Sequence, residues 1–120
     1  MATIARIKLS ASTDGRGIVV AATSSGGTLI HTGPTPVADY DEIWLWASNF
    51  NTAAEVLVLE WGGTTQAGDH FATVIQPNET VLVAPGWVLK GHGTELLVKA
   101  FATTTNKVNI TGHVNRIDDA

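Results

Sequence analysis

The groups that could do chemistry in this chain are four histidines, five serines and eleven carboxylates. Their spacing decides what they can do. His31, His70, His92 and His113 stand far apart, with none two or four residues from another, whereas a zinc site needs three or four converging ligands. Asp69 and His70 form the single adjacent acid–imidazole pair. Ser24 and Ser25 run straight into Gly26 and Gly27 and read as a turn, and no G-x-S-x-G elbow is present. Glu55 and Glu60 fall on opposite faces of one strand by parity, so they do not form the facing carboxylate pair of a glycosidase. Asp39, Asp41 and Glu42 cluster where a tryptophan-rich strand begins. They read as a solvated group that discourages edge pairing; the sharper alternative is a calcium-binding or sugar-binding rim. The glycine-rich stretches at 15–17, 24–27 and 60–63 precede no helix, so a phosphate cradle is not expected there. With no cysteine, thiolate chemistry and disulfides are excluded. No catalytic, cofactor or metal site is expected, and the chain does not read as an enzyme.

The four tryptophans carry more information. In the segment DEIWLWASNF, residues 41–50, period-two alternation sets Ile43, Leu45 and Ala47 against Trp44, Trp46 and Ser48. Such a strand is apolar on both faces, and one face must be covered by something other than its own core. Residues 55–61 repeat the pattern, with Val56 and Val58 opposed to Leu57 and Leu59. Trp44, Trp46, Leu57, Leu59, Trp61 and Trp87 are therefore the candidate contact residues. Three covers are open: another subunit, the GPTPVADY connection of the same chain, or a sugar stacked on the indoles.

The elements that position these residues are strands. No segment has helical periodicity with a start and a stop signal. Short runs rich in Val, Ile, Thr and Trp alternate with Gly, Pro, Asn, Asp and Ser turns. The runs are 3–9, 18–23, 28–32, 41–50, 55–61, 70–76, 81–89 (through Pro85-Gly86), 94–102 and 107–117. Eight or nine short strands in one 120-residue domain predict an all-β antiparallel sandwich or jelly roll, with residues 1–3 and 118–120 flexible. The net charge of −4, with seven scattered Lys and Arg, gives no basic stripe for nucleic acid. No stretch approaches the length of a membrane helix, and no secretion signal is read at the start. Charged residues are 15% of the chain, against about 25% in an ordinary domain. So little charge leaves part of the surface to be covered by a partner.

GRGIVVAATSSGGTLIHT, DEIWLWASNF, LVLEWGGT and ITGHVNRI together resemble the small virion proteins of tailed bacteriophages, nearest to the head decoration, or cement, proteins. The resemblance also touches neck and tail subunits. It implies a β-sandwich made in the host cytoplasm and carried on the virion. It implies a homotrimer that bridges major capsid proteins on the outside of the head and stabilises the shell. Segments 1–4, TTTN and GGTTQAGD are the candidate docking arms. A carbohydrate-binding module that takes a surface glycan is the alternative reading.

Overall fold

A computed structural model describes residues 2–118. Nine strands form: β1 (Thr3–Lys8), β2 (Ile18–Val19), β3 (Thr28–Thr32), β4 (Tyr40–Asn49), β5 (Glu55–Trp61), β6 (His70–Ile75), β7 (Thr80–Lys90), β8 (Leu97–Ala102) and β9 (Val108–Asp118). The first sheet has the order β1–β9–β4–β7, with β2 also on β9; the second has the order β3–β8–β5–β6. Every pairing is antiparallel. With β1 and β2 counted as one interrupted edge strand, β1/β2 pairs β9, β3 pairs β8, β4 pairs β7 and β5 pairs β6. This is an antiparallel ribbon rolled into two sheets, the jelly-roll order. The all-β sandwich expected from the strand count is what forms.

The inner faces make the core. Ile43, Leu45 and Ala47 of β4, Leu57 and Leu59 of β5, Val98 and Ala100 of β8 and Ile110 and Val114 of β9 are almost completely buried. The accessible surface is 6218 Å², close to the about 6,200 Å² of a compact monomer of this mass. The fold therefore closes its core without help from a partner.

Two boundaries differ by three residues or more from the sequence reading. The β2 ladder stops at Val19 because the chain crosses from one sheet toward the other. Val20 N–H donates to Val108 O, the Ala21 and Ala22 amides go to Thr28 Oγ1, and Ala22 O accepts from Ala102 N–H. β8 begins at Leu97, since Leu96 O and Leu97 O accept from Gly33 and Gly62. β7 runs unbroken through Pro85 with two register shifts against β4. A proline is tolerated there because β7 is an edge strand. Of the ends read as flexible, Thr3 pairs with Asp118 across β1 and β9; residues 1, 119 and 120 lie outside the described residues.

Candidate functional site

Polar groups buried between the sheets come first, since they are where catalysis would hide. Asp41 is on the inner face of β4 and fully buried. Arg116 of β9 grips it with Nε on Oδ1 and Nη2 on Oδ2, both at 2.8 Å, and His31 Nε2 lies 2.7 Å from Oδ2. Ser10 N–H donates to His31 Nδ1 at 3.0 Å. Nδ1 is thus the acceptor, so Nε2 carries the hydrogen and donates to Asp41. Ser10, His31 and Asp41 superficially form a triad, but the imidazole nitrogen a nucleophile would need is taken by the backbone of Ser10. The Ser10 hydroxyl itself accepts from Thr32 N–H. The cluster is a brace that ties β3 of one sheet to β4 and β9 of the other. Burial alone would raise the Asp41 pKa, but the hydrogen bonds from Arg116 and His31 and the charge of Arg116 hold it below the ordinary value. The reading of Asp39, Asp41 and Glu42 as a solvated edge group is corrected here: β4 is a central strand, and Asp41 is its buried anchor.

Two further carboxylates are buried. Glu60 accepts from Gly27 N–H, Ser25 Oγ–H and His70 Nε2 at 2.8, 2.8 and 3.1 Å. Glu55 accepts from Asn51 Nδ2 and Thr104 N–H. In both, burial pushes the pKa up and these donors more than reverse it. His70 thus pairs with Glu60 rather than with its sequence neighbour Asp69. Each carboxylate fastens a loop to a strand, with its acceptor oxygens occupied. Among the described residues, no three His, Asp or Glu side chains are grouped to hold a metal ion.

The tryptophans separate into two clusters. Trp61, at the end of β5, and Trp87 of the edge strand β7 meet across the sandwich. They meet edge to face with centroids 5.5 Å apart, and Phe71 lies 4.9 Å from Trp87. Trp61 Nε1 donates to Val88 O. Both indoles pack against the core and leave a shallow hollow with Phe71 and Val88.

Trp44 and Trp46 lie on the outer face of the first sheet, half-buried. They stack at 6.4 Å and 22°, and His113 of β9 joins them at 6.4 and 6.0 Å. Trp44 Nε1 donates to Glu42 Oε1, which also accepts from Asn115 Nδ2; Arg6 Nε donates to Asn115 Oδ1. The bonds from Trp44 and Asn115 keep Glu42 below its usual pKa. Burial, and then the charge of Arg6, lower that of His113. The GPTPVADY connection does not cover this face. Its partners are the β7 end and the loop after it: Asp39 O with Gly91, Thr35 O with Gly93, Val37 O with Lys90.

Of the candidate contact residues, Leu57 and Leu59 are core, 0% and 1% exposed, and are withdrawn as contact residues. Parity places their neighbours Val56 and Val58 outward instead. Val56 stands opposite Val74, and Val58 stands between Ala72 of β6 and Phe101 of β8. Val56 and Val74 are 42% and 58% exposed. This outer face of the second sheet was not picked out from the sequence. Its signal was there in HFATVI of β6, a strand with no Asp, Glu, Lys, Arg or Pro.

The described parts of the segments considered as docking arms are tied down, and Met1 lies outside the described residues. Thr3 and Ile4 are laddered to β9. Thr104, Thr105 and Asn106 bond to Glu55, Ala21 and Val20. The 62–69 loop closes on itself through Asp69 and Thr65.

Compared with protein-family models and with curated protein sequences, the chain matches none.

Proposed function

We propose that this chain is a non-enzymatic virion structural protein of the head-decoration kind. It assembles as a homotrimer and binds major capsid protein on the outside of a phage head, stabilising the shell. The observation that carries this reading is the outer face of the second sheet, where Val56, Val58, Ala72, Val74 and Phe101 form one apolar surface on a sandwich whose core is already complete. Apolar side chains left contiguous on a chain with so little charge mark a surface that another protein covers. Anchored loops and a braced core give the rigid body that such a role needs, and binding through several copies multiplies weak contacts.

The test adds the purified chain to heads that lack it. Co-sedimentation, and heads that survive heating or osmotic shock better once coated, are the expected results. Binding to necks or tails instead would move the protein elsewhere in the virion. Association with no particle at all would overturn the reading.

A further inference from the structure

The two outer faces of the sandwich differ in chemistry. The second sheet offers branched aliphatic side chains. The first offers an aromatic pair bordered by fixed hydrogen-bonding groups. The geometry points to a carbohydrate-binding platform on the outer face of the first sheet, built from Trp44 and Trp46 and taking neutral, β-linked oligosaccharides of equatorial pyranoses. This goes beyond the structural role proposed above and stands independently of it.

The ring arrangement makes the platform usable. Carbon atoms in van der Waals contact lie about 3.5–4 Å apart, yet the Trp44 and Trp46 centroids are 6.4 Å apart with planes only 22° from parallel. The two indoles are therefore not closed on each other in face-to-face contact. His113, its centroid 6.4 Å from that of Trp44 and its plane 16° away, adds a third ring to the cluster from β9. A β-linked pyranose with equatorial hydroxyls directs its axial C–H bonds to its two faces and its hydroxyls to its rim. The C–H faces suit indole, and the rim needs polar partners at the platform's edge.

Those partners are present and already oriented. Glu42 uses Oε1 for both Trp44 Nε1 and Asn115 Nδ2. Among the described residues no side chain or backbone group bonds Oε2, so it can accept from a hydroxyl. Arg6 spends Nε on Asn115 and keeps its terminal amines. β4 and β9 are the two central strands of the sheet, each flanked on both sides, so the platform is held before a ligand arrives. A net charge of −4 disfavours anionic polysaccharides and favours neutral ones.

The experiment titrates the ¹⁵N-labelled chain with cellohexaose and with chitohexaose, keeping α-linked maltohexaose as a contrast, and follows the four indole N–H signals. The expected result is that Trp44 and Trp46 shift with at least one β-linked sugar while Trp61 and Trp87 stay still. Trp46→Phe and Glu42→Gln, chosen because they preserve packing and are checked by thermal melting, should each weaken binding, the first about tenfold. Phe71→Ala should leave binding unchanged. No shift with either β-linked sugar, shifts confined to Trp61 and Trp87, or binding undiminished by Trp46→Phe would overturn the proposal.

Discussion

Trp44 and His113 face each other across the two central strands of the first sheet, ring centroids 6.4 Å apart and planes 16° from parallel. The strands reach this spacing beside Gly112, which pairs with Leu45. A β-carbon at Gly112 would collide with the Trp44 carbonyl. The aromatic surface outside and the close strand packing beneath it are thus one feature.

Gly112→Ala is expected to push β9 away from β4 and to destabilise the chain by about 1–3 kcal/mol, the usual cost of overpacking. Gly68→Ala, where an added β-carbon meets nothing and φ is ordinary, should be close to neutral. Urea unfolding of the two variants checks the contrast.

Asp41→Asn removes the carboxylate that Arg116 and His31 share. The cost is expected to be about 1–3 kcal/mol, since the buried hydrogen bonds lose their charged acceptor while the Arg116 side chain, 35% exposed, keeps part of its hydration. Asp41→Asn with Arg116→Met should recover part of the loss, because the second change removes the stranded cation. A double-mutant cycle in urea measures the recovery.

Acid stability should fall in two stages. His113 has a lowered pKa in the folded chain, so the unfolded chain takes up its proton first. The stability linked to it is complete above the ordinary histidine value, about 6.5, and is lost as pH drops toward the lowered folded value. Asp41, Glu55 and Glu60 are lowered too. Their contribution is complete above the ordinary carboxylate range, about 4, and is lost below it as pH falls through their folded values. Urea midpoints measured from pH 8 to pH 3 should show a shallow first step, absent in His113→Gln, and then a steep second one.

Much of this fold was legible in the sequence because period-two alternation and Gly, Pro and Asn turns are local signals. All nine strands lie where such runs occur. What was not legible was which face of β4 and β5 turns inward, since both strands are apolar on both sides. The deciding residues are polar. Asp41 and Asn49 share the parity of Ile43 and Leu45, and they are buried because Arg116, His31, Ala53 O and Ile75 O satisfy them. Those partners are distant in sequence, Arg116 by 75 positions, so local reading saw only an acidic group. The same ambiguity put Leu57 and Leu59 in the contact set and passed over Val56 and Val74. His113 was missed as a neighbour of Trp44 because register between β4 and β9 is set by long-range pairing alone.

The central claim is that the apolar outer face of the second sheet is covered by other copies of the chain. Light scattering of the purified protein tests it most directly, with Val74→Glu beside it. The account predicts three times the 12.6 kDa chain mass for the natural chain. It predicts a folded monomer for the variant, since a valine that is exposed on the single chain and covered in the trimer is replaced by a charge. A natural chain that is monomeric at high concentration, with Val74→Glu indistinguishable from it, would contradict the account.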